Sequence, residues 1–171
     1  IARTRTRDLP AVEVLSESFD QFRCSAQFDV ITLIGVLEYA NQFVPGANPT
    51  LAMLERARAM LKPGGLLLIA IENQLGLKYW AGAPEDHLGI PMYGIEGRYR
   101  ADQPQTHGRK ALADLLAAAG FTHADFLSAL PDYKLPVSIV TSSGLSSPDF
   151  DAAALASQSA HRDPQLPKQL A

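Results

Sequence analysis

The sequence predicts an α/β fold, an open sheet with helices packed on its faces. Three observations carry that prediction. Residues 30–34 (VITLI) form an almost continuous apolar, β-branched run, the mark of a strand covered on both faces. Residues 66–71 (LLLIAI) form a second such run. Between them, residues 48–61 have the grammar of an amphipathic helix, and two buried strands flanking one helix make a βαβ unit.

The elements follow in chain order. Residues 1–10 (IARTRTRDLP) read as the tail of a helix ending before Pro10, and residues 11–15 (AVEVL) alternate as a short strand should. The arginines Arg3, Arg5 and Arg7 suit a solvated helix face better than a phosphate site. In the central helix Asn48 is placed to cap, Pro49 suits the first position, and Leu51, Leu54, Ala57 and Leu61 share a face. Gly64 and Gly65 are expected to stop that helix. Residues 74–105 have little periodicity, and so long a loop in a compact domain either has a task or hides short helices. Thr106 is the expected cap of a further helix, with Leu112, Leu115, Leu116 and Ala119 on one face and Gly120 as its stop. Residues 123–130 and 136–143 read as a closing antiparallel pair joined by PDYKLP. The chain thus divides into a domain over 1–146, with its long loop at 74–105, and a tail over 147–171 that is helical at 150–157 and frayed beyond.

Composition bounds the partners. A net charge of −3 argues against a strong electrostatic grip on nucleic acid. No apolar run is long enough to span a bilayer, and a single cysteine, Cys24, forms no internal disulfide, so a cytoplasmic location is expected.

The strand FDVITLIGVLEYA, the helix LERARAMLKPGG, the strand LLLIAIEN and the helix LADLLAAAGF before a closing hairpin together resemble class I S-adenosylmethionine-dependent methyltransferases. The resemblance covers residues 11–142. It implies a Rossmann-like open sheet, S-adenosylmethionine as cofactor, and a small-molecule or glycan acceptor. The loop IENQLGLKYWAGAPEDHLG with MYGIEGRY is similar to domains of bacterial cell-surface polysaccharide clusters. Some of those are covalently joined to glycosyltransferase modules. The sequence departs from the family in lacking the glycine-rich GxGxG turn and the acid-ended strand after it. An amino-terminally truncated domain is therefore expected, whose cut sheet edge would let it pair with itself as a homodimer.

Ligands of open α/β sheets bind beyond the carboxyl ends of the strands, which selects the candidate residues. By resemblance, Glu17 and Phe19 lie against the adenine, although Glu17 reads equally as a solvated acid and Phe19 as core. By resemblance, Gly35 and Val36 wall the sulfonium region. Glu72 and Asn73 end the second buried strand, where a carboxylate can orient an acceptor or take its proton; alternatively Glu72 caps a helix or pairs with Arg98. His87 is the candidate general base of the loop. Tyr79 and Tyr93, with Trp80 and Tyr99, form either an acceptor lid or the core of a small subdomain. No metal is expected at Glu85-Asp86-His87, because adjacent residues seldom point at one ion and no second His or Cys lies at ligand spacing. Two rival functions remain: a non-catalytic scaffold beside a glycosyltransferase, and a dinucleotide-dependent oxidoreductase on a similar sheet. The LKPGG turn and the closing pair favour the methyltransferase over the oxidoreductase.

Overall fold

A computed structural model describes residues 1–151, 154 and 155 of the chain. The βαβ unit is present. Strand β1 (Phe28–Ile34) pairs in parallel with β2 (Leu61–Ala70) across a helix at Pro49–Met60. Short helices α1 (Ala2–Arg5) and α2 (Ala40–Phe43) precede that helix, which is therefore α3, and a 3-10 turn spans Leu37–Tyr39. Helix α4 (Leu77–Trp80) lies in the long loop, and α5 (Arg109–Ala118) follows it. Strands β3 (Leu127–Leu130) and β4 (Ser138–Thr141) pair antiparallel, and α6 (Ser142–Leu145) follows them. The architecture is mixed α/β, with a small parallel sheet and a separate antiparallel pair.

The amino-terminal cap of α3 is as the sequence predicts. Asn48 Oδ1 accepts the Leu51 amide at 3.3 Å, and Pro49 takes the first helical position. The inner face of α3 buries Met53 and Leu54 in one cluster with Leu33 of β1, Leu37, and Leu112 and Leu116 of α5, and Ala57 is buried on the same helix. Leu54 is fully buried, and removing such a side chain from water contributes about 2 kcal/mol.

Several expectations fail, each for a local reason. Residues 11–15 form no strand; Val12, Val14 and Leu15 are exposed, and without a ladder partner an extended segment gains nothing from alternation. Helix α3 stops at Met60, ahead of the glycines, because Leu61 is buried and pairs with Phe28, drawing the chain into β2. Gly64 instead turns the chain at φ +77° where the register slips between Phe28 and Val30. Thr106 does not cap α5; Gly108 stands at that position, while Thr106 is fully buried against the Tyr99 hydroxyl at 2.8 Å.

The largest difference concerns the sheet. Leu33 of β1, with Ile69 opposite it and Leu67 two residues before, packs in the core, but the alternate residues do not share that cover. Val30, Ile34, Leu66 and Leu68 are each 46–59% exposed. Both long helices contribute to the same core cluster, so one face of the pair stays open among the described residues. The continuous apolar runs therefore mark strand identity, not burial on both sides. The helix expected at 150–157 and the tail beyond Leu155 fall largely outside the described residues. No helix among the described residues is long and apolar enough to cross a membrane.

Candidate functional site

The ladder of β1 and β2 runs on past Ile34, where the Gly35 amide donates to the Ala70 carbonyl at 2.9 Å. The chain then turns sharply at Gly35, whose φ of +61° few other residues adopt. A side chain there would also meet the Tyr133 hydroxyl at 2.8 Å. This turn aims Glu38 inward from the Leu37–Tyr39 turn, and its carboxylate is almost wholly buried. Glu72, just past the end of β2, is buried beside it. The third member arrives from the long loop: His87 Nε2 lies 3.9 Å from Glu38 Oε1. Donor atoms of Glu38, Glu72 and His87 all lie within 4.8 Å of one another.

Glu85 holds the histidine in place. It is buried, and its Oε2 accepts the backbone amides of His87 at 2.8 Å and Leu88 at 2.7 Å. Its Oε1 lies 3.1 Å from His87 Nδ1 and accepts the Tyr99 hydroxyl at 3.2 Å. The edge of the imidazole stands against the Tyr39 ring, with centroids 5.3 Å apart. The loop is therefore an ordered wall, tied by the Gln74 amide donating to the Gly94 carbonyl at 2.7 Å and the Gln105 amide donating to the Glu38 carbonyl at 2.8 Å.

The connection between β3 and β4 also reaches the cluster. Lys134 forms an ion pair with Glu72 Oε1, and Tyr133 sits over Gly35. The partner foreseen for Glu72, Arg98, instead pairs with Glu96 at 2.8 Å. Burial alone would lower the Lys134 ammonium, but the hydrogen bond and charge of Glu72 outweigh it and hold it above its ordinary value. Burial, with the Glu72 charge adding to it, pushes the Glu38 carboxyl up. Burial and Glu72 likewise raise the Tyr133 phenol. The second oxygens of Glu38 and Glu72 are buried and have no hydrogen-bond partner. The site is thus short of positive charge and of donors.

The other candidate residues are placed elsewhere. Glu17 is exposed and Phe19 is half-buried, packed on the core under the Arg56 guanidinium. Both line an open groove of about 340 Å³ with Phe28, Val30 and Met60, along the amino-terminal half of β1. Val30 precedes Gly35 by about 16 Å of extended strand, so this groove and the carboxyl-end cluster are separate places. Val36 is part-exposed beside Gly35. Asn73 is exposed, and its Oδ1 accepts the Leu75 amide at 3.0 Å in a turn. Tyr79 is buried, and its hydroxyl donates to Asp86 at 2.9 Å; burial holds that phenol far above its ordinary value. Tyr93 donates to Gln103 Oε1 at 2.9 Å and meets the Tyr99 ring edge-on. These phenols serve the internal framework of the loop.

Glu38, Glu85, Tyr133 and Lys134 carry no role in the sequence-based assignment. For Glu38 a signal exists: a carboxylate at a strand's carboxyl end, set between Leu37 and Tyr39. Lys134 lies far from Glu72 along the chain, and nothing local marks the pairing. No protein-family model matches the chain, and no curated protein matches it.

Proposed function

We propose that the chain is a class I S-adenosylmethionine-dependent methyltransferase domain acting on a small-molecule or glycan acceptor, in the cytoplasm. The observation that carries this reading is the convergence of Glu38, Glu72 and His87 at the carboxyl ends of two parallel strands joined by a helix. That is where open α/β sheets hold their ligands. The turn at Gly35 supports it further, because its left-handed backbone carries the chain from β1 to Glu38 at that same end of the sheet.

The residues fit the cofactor in part. Gly35 and Val36 suit a wall at the carboxyl end, whereas Glu17 and Phe19 line a different groove. When bound, S-adenosylmethionine supplies an activated methyl group. The chain's own residues would then hold the acceptor in line and keep water out. Glu72 suits the first task. Lys134 fixes one carboxylate oxygen and leaves the other, buried and unpartnered, to receive an acceptor hydroxyl or amine proton. His87 stands ready to relay that proton, with its ring oriented by Glu85.

The scaffold reading is favoured by one observation, the separation of the Glu17–Phe19 groove from the carboxyl-end cluster. Calorimetric titration with S-adenosylhomocysteine divides the two. Saturable binding by this chain, or by a form extended at its amino end, supports the enzyme. Binding by neither removes it and leaves the scaffold.

A further inference from the structure

We propose that Glu38, Glu72 and His87 form a binding site for one divalent first-row transition cation, of the Mn²⁺, Fe²⁺ or Zn²⁺ class. The site shares Glu72 and His87 with the methyl-transfer reading, and a bound ion would take the lone pairs given there to the acceptor proton; its test needs neither cofactor nor acceptor, since the cation alone is the ligand.

The first ground is geometric. With metal–donor bonds of about 2.1 Å, two donors on one ion lie at most about 4.2 Å apart. The donor atoms here fall within 4.8 Å of one another, and three donors around one ion lie about 3.0–3.6 Å apart, so side-chain shifts of about 1–2 Å would seat an ion. The three residues come from three separate segments: the turn after β1, the end of β2 and the long loop. Each offers an atom to the same small volume.

The second ground is that the donors lack partners. Oε2 of Glu38 and Oε2 of Glu72 are buried without a hydrogen bond, and the two side chains are only 3% and 7% exposed. Two buried carboxylates side by side repel, and unpaired buried charge is costly unless a cation shares the volume. Lys134 meets this need for one oxygen of Glu72 only. Its side chain is 57% exposed and sits on the β3–β4 connection, so it can swing aside as an ion enters.

The third ground is the histidine. Glu85 lies 3.1 Å from Nδ1, so a proton on Nδ1 donates to that carboxylate. Nε2 then presents a lone pair toward Glu38 Oε1, 3.9 Å away and beyond hydrogen-bond range. A lone pair facing a carboxylate calls for a cation between them. The carboxylate–imidazole arrangement is the support that histidine ligands of metals ordinarily receive. One imidazole with two carboxylates suits the intermediate cations of the first row better than Ca²⁺ or Mg²⁺, which prefer oxygen alone.

The test is a Mn²⁺ titration of the chelator-stripped chain, read from the electron paramagnetic resonance signal of free Mn²⁺, with Zn²⁺ as competitor. We expect one Mn²⁺ per chain, displaced by Zn²⁺. Glu38→Gln and His87→Gln should each weaken binding at least tenfold, and Glu85→Gln should weaken it about tenfold or more through the histidine. Lys134→Met should tighten binding, because a competing cation is gone. That variant decides the matter even where the buried replacements fail to fold. Absence of binding to millimolar Mn²⁺ by a chain folded by circular dichroism overturns the proposal. So does unchanged affinity in folded Glu38→Gln and His87→Gln, or in Lys134→Met.

Discussion

Replacing Glu38 with glutamine should stabilise the metal-free fold at neutral pH, and the gain should vanish in acid. The carboxylate is buried beside Glu72, and its Oε2 has no hydrogen-bond partner. An unsatisfied buried polar group costs about 1–3 kcal/mol. The glutamine amide keeps the shape and can donate to Glu72 Oε2, which also lacks a partner. A gain of about 1–2 kcal/mol follows, which for a chain of this size is a rise in Tm of about 2–8 °C. The sign of the pH dependence comes from the raised carboxyl. Its folded value lies above the ordinary 4.5, so the folded chain holds this proton more tightly than the unfolded one. The stability it confers is fully present below 4.5 and is lost as pH rises through the raised value. Glutamine does not titrate, so the two proteins should melt together in acid and separate toward neutrality. Thermal melts by circular dichroism in EDTA, taken across that range, make the measurement. A variant less stable than the parent at pH 7, or a difference that ignores pH, would refute the reasoning.

Further outcomes follow from the same structure. Gly35→Ala places a methyl group 2.8 Å from the Tyr133 hydroxyl at a φ of +61°; it should cost about 1–2 kcal/mol and speed amide exchange in residues 131–137. Leu54→Ala empties a fully buried position and should cost about 2–5 kcal/mol by urea denaturation, against no more than about 0.5 for an exposed change such as Glu55→Gln. Tyr99→Phe removes hydrogen bonds to Glu85 and Thr106 and leaves a buried threonine hydroxyl unpaired; a loss of about 1–3 kcal/mol is expected in the same assay.

The βαβ unit is legible because its signals are local: β-branched runs, an asparagine cap followed by proline, and leucines on one helical face. The terminal hairpin is legible for the same reason. Where partners are distant, the reading fails. Whether residues 11–15 form a strand depends on what lies beside them, and their pattern does not encode that. Whether Val30 and Leu66 are covered depends on which side the helices choose. Thr106 looks like a cap because its neighbours are polar, yet Tyr99 claims its hydroxyl. For the site, position along the strands marks Glu72, and the loop marks His87. Their meeting with Glu38 is a tertiary event, as is the Lys134 ion pair. Glu38, Glu72 and His87 come from three segments, and no spacing along the chain encodes their proximity.

The claim that the carboxyl end of the β1–β2 pair is the ligand site is tested most directly by nuclear magnetic resonance of the ¹⁵N-labelled chain titrated with S-adenosylhomocysteine. Saturable shifts at the amides of Gly35, Glu38, Glu72 and His87 are the predicted result. Shifts confined to residues 15–30, or none in this chain or an amino-terminally extended one, would contradict it.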